Sequence, residues 1–473
     1  MTSSLSTVEG ARSTERADAL STSALVAQVS ARMERLPVGR WQILVRCIIG
    51  IVTFFDAFDM LMISYVLPVI STEWRLSPYG STSAIVSGSI GMFVGAIVLG
   101  WLADRFGRVK VIIVALLMYS LASLALALSP DFNTFVALRF LQGVGIGGEV
   151  PIAATYINEM ARSHRRGRFV LLYEAIFPLG VAVQGLVATL VVPTLGWRWL
   201  FAIGALPLPV VFLIYKYVPE SPRWLAGKGM HERALATMEY IERQVQKYTR
   251  QPLPEPKATT GGSRPAMVKG SWRDLFVAPY LRRTLTVWVI GFTLTFVHLG
   301  VVNWLPTIYQ KEFGLPLRTA LAYTAINPWC ALAGALFVAM VIDRFGRRWT
   351  LGSALVCSAL ILFVLWLFDA KPLMLVVICT ALLAFVSTII ITGLYLYTPE
   401  LYPTRVRALG VSLSGSLNRL GGVFGPATLS YVMHTANLPI ALFVLAVVGL
   451  IGGIVALTFA EETSGRVLEE ISP

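Results

Sequence analysis

The sequence predicts an all-α membrane protein, with twelve transmembrane helices in two pseudo-symmetric six-helix bundles. Three observations carry that prediction: a very apolar composition, twelve apolar runs of bilayer-spanning length, and two motifs that recur at one period. Of 473 residues, 56% are hydrophobic and 14% are charged. Soluble domains carry about 25% charged residues. A mean hydropathy of +0.70 would leave a water-soluble chain with large exposed apolar patches. Lipid is the solvent that resolves the conflict.

Apolar runs of about 20 residues, enough to cross a bilayer as helix, lie at 43–67, 83–103, 110–128, 133–158, 169–192 and 198–218 (spans 1–6). Six more lie at 284–306, 319–342, 349–368, 373–397, 408–432 and 437–460 (spans 7–12). Their Gly and Pro residues suit a bundle, where neighbours satisfy freed backbone groups and small residues permit close packing. The net charge of +13 sits in alternate loops. Arg105, Arg108 and Lys110 follow span 2, and Arg162, Arg165, Arg166 and Arg168 follow span 4. Arg344, Arg347 and Arg348 follow span 8, with Arg405 and Arg407 after span 10. This positive-inside pattern predicts that those loops and both termini are cytoplasmic. Basic residues confined to short loops form no contiguous face, which argues against nucleic-acid binding.

Domain bounds follow: a cytoplasmic tail at 1–40, a six-helix bundle at 41–218, a linker at 219–283, a second bundle at 284–460 and a tail at 461–473. The first tail shows no cleavable signal peptide and a short amphipathic helix near Leu25–Leu36. Within the linker, Met230–Tyr248 has helical periodicity, and Pro252–Gly270 is rich in Pro, Gly and Thr. Cys47, Cys330, Cys357 and Cys379 are isolated within spans and read as packing residues. No metal or cofactor is expected, and a monomer is expected.

The repeat is explicit. Asp104-Arg105-Phe106-Gly107-Arg108 follows span 2 and Asp343-Arg344-Phe345-Gly346-Arg347 follows span 8, an offset of 239 (343 − 104). Glu159 and Arg166 follow span 4, and Glu400 and Arg407 follow span 10, an offset of 241 (400 − 159). At a membrane boundary such charges pair across helices and can latch the halves in one state; the plainer reading is anchoring and helix capping.

Ionisable groups inside spans are functional suspects. Asp56 and Asp59 lie one turn apart on one face of span 1, a proton-carrying pair or a structural one. Glu149 in span 4 and Glu174 in span 5 are candidates for the same relay, or for gate and packing hydrogen bonds. Arg139 in span 4 either pairs with a span-1 aspartate or snorkels outward. Arg419, near the middle of span 11, offers a planar fork that matches a carboxylate, or a structural ion pair. Trp304, Trp329, Tyr395 and Tyr397 stand beside polar or helix-breaking residues and are cavity candidates. His298, Asn303, Asn327 and Asn418 supply hydrogen-bonding groups for a bound solute.

These motifs resemble the major facilitator superfamily over residues 40–470. Gly100-x-x-x-Asp104-Arg105-x-Gly107-Arg108 is similar to its signature loop, and Arg139-x-x-x-Gly143 with Gly147-Gly148 to its fourth-helix motif. Pro219-Glu220-Ser221-Pro222-Arg223, Glu400-x-x-Pro403-Thr404-x-x-Arg407 and Glu462-Thr463-x-Gly465 resemble the sugar-porter branch. Val109 and Ala339 depart from the usual pattern. Phe55-Asp56-Ala57-Phe58-Asp59 resembles the paired aspartates of aromatic acid/proton symporters. Gly148-Glu149-Val150-Pro151, Asn303-Trp304-Leu305-Pro306, Tyr397-Thr398-Pro399-Glu400 and Asn418-Arg419-Leu420-Gly421-Gly422 together resemble bacterial niacin (nicotinate) transporters, relatives of synaptic vesicle 2-like proteins. The resemblance implies the major facilitator fold in a bacterial inner membrane. It also implies proton-coupled uptake of a small aromatic monocarboxylate, nicotinate first, through a cavity between rocking halves.

No enzyme constellation is present. His is scarce, and Gly145-Ile146-Gly147-Gly148 lies inside a span, not between strand and helix. The competing functions are transport of hydroxybenzoate-like acids, a sugar or an organic cation, and, outside transport, a membrane sensor or a channel.

Overall fold

The structure is a computed structural model that describes residues 24–37, 39–160, 176–249, 253–255, 272–278, 280–403 and 406–464. Among these every regular element is helical. Span 1 is Arg40–Met60 followed by Met62–Glu73. Spans 2 to 5 are Pro78–Phe106, Arg108–Ala127, Phe132–Met160 and Ile176–Thr194. Span 6 is Trp197–Gly204 plus Val210–Tyr217. The linker contributes Pro222–Gly227, His231–Thr249 and a 3₁₀ turn at Trp272–Phe276. Span 7 is Tyr280–Val302 plus Leu305–Lys311, and span 8 is Leu317–Thr324 plus Ile326–Phe345. Spans 9 to 12 are Arg347–Leu367, Leu373–Glu400, Arg407–Thr435 and Leu438–Phe459.

Ten of these stretches are long and apolar enough to cross a bilayer. The two that fall short have visible reasons. Span 6 is interrupted around Pro207 and Pro209, whose rings remove amide donors. Span 11 carries Ser412, Ser414, Ser416, Asn418 and Arg419, which lower its hydropathy.

Spans 1, 7 and 8 correct the expectation of continuous rods, because each breaks partway. Leu61 (φ −102°, ψ 6°) separates the two helices of span 1. In span 7, Pro306 stands in the first turn of the second helix, where its missing N–H costs nothing. Such interrupted helices supply free backbone groups and bends at mid-membrane, where transporters bind their cargo.

The repeated loops are built alike. Gly107 (φ +114°) turns the chain from span 2 into span 3, and Gly346 (φ +84°) turns it from span 8 into span 9. Only glycine takes such angles without strain. A carboxylate then seats on each following helix start. Glu220 accepts from the backbone N–H groups of Arg108 (2.9 Å) and Val109 (3.3 Å). Glu462 accepts from those of Arg347 (2.8 Å) and Arg348 (3.1 Å). A Cβ added to Gly107 or Gly346 would strike those carboxylates. Glu220 and Glu462 are therefore a third repeated pair, at an offset of 242 (462 − 220), in which acids complement the positive helix end.

Packing divides the molecule into two ends. At the end away from the basic loops one apolar core joins both halves, with Phe58, Met62 and Ile70 packing in the same cluster as Trp304, Ile308 and Leu321. There Thr82 of span 2 donates to Ser430 of span 11 at 2.7 Å. At the basic-loop end each half has its own core: Val45, Ile112 and Tyr156 in the first, Ile290, Leu351 and Tyr397 in the second. The halves are fused at one end and apart at the other, so the cleft between them opens toward the basic loops.

Residues 24–34 form a helix whose Leu25, Val29 and Met33 join the first half's loop-end core. It docks on the linker helix through Arg32, which donates to both oxygens of Glu242 (2.9 and 2.7 Å), and through Arg35 (2.8 Å).

Candidate functional site

Asp56 and Asp59 occupy the last turn of the first helix of span 1, just before its break. A helix C-terminus does not favour negative charge, so helix stability is not what keeps two acids there. Although they share a face, the structure gives them different partners.

Asp59 is fully buried within a network. Ser123 donates to its Oδ2 at 2.9 Å and Gln142 at 3.3 Å. Gln142 also reaches the Ser123 hydroxyl at 2.6 Å and accepts from the Arg139 guanidinium. Arg139 is itself buried and acts on Asp59 as the neighbouring positive charge. The expected Arg139–aspartate pairing thus runs through Gln142 and not through a direct ion pair. Sequence reasoning missed Ser123 and Gln142. A glutamine in an apolar span was a visible signal, by the same rule that singled out the charged groups.

Asp56 is equally buried, and neither of its carboxylate oxygens has a hydrogen-bond partner among the described residues. The charges around it are Glu149, Asp59 and Arg419. Glu149, also fully buried, accepts from Thr53 at 3.3 Å through one oxygen, while the other is unpartnered. Tyr119 lies within electrostatic range of both carboxylates, and its hydroxyl donates to the Val52 carbonyl at 3.4 Å.

Arg419 comes from the other half. It donates to the carbonyl of Gly147 on span 4 at 2.9 Å and to that of Gly415 on its own helix at 3.3 Å. The mid-membrane guanidinium therefore bridges the halves two residues from Glu149, without a carboxylate in its fork. Space adjoins it: a side chain at Gly415 would meet no atom within 4 Å. Tyr395 is 70% exposed and lies within electrostatic range of Arg419.

The other candidates scatter. Asn303, at the span-7 break, accepts from Ser64 of span 1 at 2.8 Å. Trp304 corrects its assignment to the cavity: it is 1% exposed, in the shared core, and donates to the Pro426 carbonyl at 3.0 Å. Tyr397 is a second correction, being buried at the loop end with its hydroxyl on the Glu461 carbonyl at 2.9 Å. Standing next to a helix breaker did not fix which way either ring points. Trp329 is 43% exposed on span 8. The Asn418 side chain packs against Gly291 of span 7 with its amide oxygen unpartnered among the described residues, while its backbone carbonyl accepts from Thr295 at 2.5 Å. His298 Nδ1 and both amide atoms of Asn327 are buried without partners among the described residues.

At the loops, Arg108 pairs with Asp104 (2.7 Å) and Glu159 (3.3 Å), and Arg347 with Glu400 (3.2 Å). Each described pair stays within its own half, the arrangement that anchoring requires and that a latch shows in its released state. Arg105 lies over the Trp101 ring at 5.4 Å, and Arg344 is exposed. Arg166, Glu174 and the side chains of Asp343 and Arg407 lie outside the described residues. Among the described residues no group of His, Cys, Asp and Glu is arranged to hold a metal.

Known proteins place this architecture. The family described as "Sugar (and other) transporter" matches residues 45–473. The niacin transporter NiaP of Acinetobacter baylyi is 33% identical over 449 residues, covering 93% of this chain and 99% of that protein. Organic cation/carnitine transporter 7 of Arabidopsis thaliana is 30% identical, covering 91% and 94%. Among solved structures, the inward-open xylose transporter XylE from E. coli superposes with a TM-score of 0.69 at 20% identity, covering 91% of this chain and 99% of that one. The chain belongs to the sugar (and other) transporter family of the major facilitator superfamily: it is a multi-pass membrane transporter and not an enzyme.

Proposed function

We propose that this transporter takes up a small aromatic monocarboxylate, nicotinate first, together with a proton. The observation that carries the reading is Arg419, delivered by the second half beside two buried carboxylates of the first, Asp56 with both oxygens and Glu149 with one oxygen lacking a hydrogen-bond partner among the described residues. A guanidinium bound only to carbonyl oxygens has its fork available for a solute carboxylate. The relative named for niacin fits a solute of that kind.

A proton makes the cycle work. An inside-negative potential opposes entry of a monoanion by about 2.3 kcal/mol per 100 mV, and one co-transported proton cancels that charge. Asp56 and Glu149 carry it, and Asp59 with Arg139 holds span 1 in register. The basic loops and both termini face the cytoplasm of a bacterial cell, so the cleft described above is inward-facing. The loop motifs Asp104–Arg108–Glu159 and Asp343–Arg347–Glu400 close on one another when the molecule turns outward, and a monomer suffices for the cycle.

Purified protein in liposomes tests this. An imposed inward proton gradient should accelerate labelled nicotinate uptake several-fold, and uptake indifferent to that gradient removes the symport. One specific observation favours a second cargo. Buried unpaired carboxylates also suit an organic cation, and one relative is named for such solutes. Carnitine uptake that nicotinate does not inhibit would select it.

A further inference from the structure

A second polar cluster lies where the two halves meet at the closed end, away from the carboxylates. Gln184 of span 5 is 0% exposed, and both its amide nitrogen and oxygen lack hydrogen-bond partners among the described residues. The same is true of Asn327 of span 8, at 3%, and of the Tyr65 hydroxyl of span 1, at 1%. The helices that carry them meet beside Gly185, the residue after Gln184. A Cβ added to Gly185 would lie 2.8 Å from the Tyr65 hydroxyl and 3.5 Å from Ala325, two residues before Asn327. Gln184 shares its helix face with Val181 and Ala188. Val181 packs on Leu61, Leu299 and Val302 at the helix breaks, and Ala188 lies in the core common to both halves.

Burying a donor or acceptor without a partner costs about 1–3 kcal/mol, and native structures keep such groups few. Several at one seam, contributed by both halves, mark a place built for a polar occupant. Its charge is readable. The described part of span 5, residues 61–72 of span 1 and residues 319–334 of span 8 contain no Lys, Arg, Asp or Glu. The occupant presents neutral donors and acceptors there.

We propose that Gln184, Asn327 and Tyr65 form a neutral hydrogen-bonding subsite for the uncharged heteroatom of the solute, a ring nitrogen or hydroxyl, while Arg419 takes its carboxylate. This rests on the aromatic-carboxylate reading above and adds the specificity to it. Arg419 is 16 residues from the end of span 11 at Thr435, and Gln184 is 10 residues from the end of span 5 at Thr194. At 1.5 Å per residue these offsets are about 24 Å and about 15 Å, so Gln184 stands nearer the closed-end terminus of its helix than Arg419 does to that of its own. A site that hydrogen-bonds a heteroatom rejects the isostere lacking it, because its own polar groups are then left bare.

The test compares nicotinate with benzoate, which replaces the ring nitrogen by C–H, as labelled solutes for the full-length protein in liposomes. The wild type should favour nicotinate by about tenfold or more. Gln184→Met and Asn327→Leu should bring that ratio near one by slowing nicotinate far more than benzoate. Each variant's melting temperature is measured without solute, and Gln184→Met should melt no lower than wild type, since it removes an unpartnered amide. Uptake of both solutes with an unchanged ratio in two folded variants overturns the subsite and leaves the carboxylate reading standing. Uptake of neither solute by the wild type overturns the carboxylate reading and the subsite with it.

Discussion

Asp56 and Asp59 are three residues apart and equally buried, yet they stand in different chemistry. Asp59 has a hydroxyl, an amide and a guanidinium arranged around it, while Asp56 has two acids and a guanidinium from the other half. Their substitutions should therefore separate. Asp56→Asn should abolish proton-driven accumulation and spare solute exchange down a gradient, read as counterflow that no longer responds to pH. Arg139→Ala leaves the Gln142 and Asp59 network buried without its guanidinium and should cost about 1–3 kcal/mol of stability, seen as a fall in melting temperature. Arg419→Lys keeps the charge and loses the planar fork; it should weaken nicotinate binding about tenfold or more by ligand-induced thermal shift. The acids and Arg419 were legible in the sequence because charge inside a span is rare. Trp304 and Tyr397 were misread because composition says nothing of helical phase, and Gln184 was passed over because an uncharged amide does not stand out in an apolar run.

At the scale of elements, the caps repeat more faithfully than the sequences around them. Glu220 and Glu462 sit in dissimilar motifs, Pro-Glu-Ser-Pro and Glu-Glu-Thr-Ser, yet both hold the start of the helix that follows a repeated loop. The sequence reading took them for family marks and missed that they are symmetry mates, because neither neighbours in sequence the helix it caps. Glu462→Gln should destabilise by about 1–2 kcal/mol, measured as a lowered melting temperature. Burial pushes the Glu220 carboxyl above its usual range, against its backbone hydrogen bonds. Its contribution is therefore greatest in acid and is lost as pH rises through the folded value. Glu242 has the opposite sign. Burial would raise its carboxyl, but hydrogen bonds and charge from Arg32 and Arg35 outweigh that and hold it below the usual value. The clamp on helix 24–34 is present above the ordinary glutamate range, about pH 4, and is lost as pH falls through the lower folded value. Hydrogen exchange in 24–34 should rise there, and Arg32→Ala should raise it already at neutral pH.

For the whole molecule, the twelve spans and their two-fold repeat could be read from apolar runs and motif offsets, while the direction of opening could not. One sequence must serve both states of an alternating-access cycle, so composition is silent on which is occupied. The answer lies in which large core is shared: among the described residues the core at one end draws on both halves, while each half has its own core at the other.

The hydroxyl pair Thr82–Ser430 at that closed rim, 2.7 Å apart, has a practical consequence. Cysteines at both positions would stand near the reach of a disulfide and could sew the rim shut. Such a protein is a cup with a single mouth: it would still warm on addition of solute in a calorimeter, fed from the loop side, yet ferry nothing across until a reductant cut the stitch.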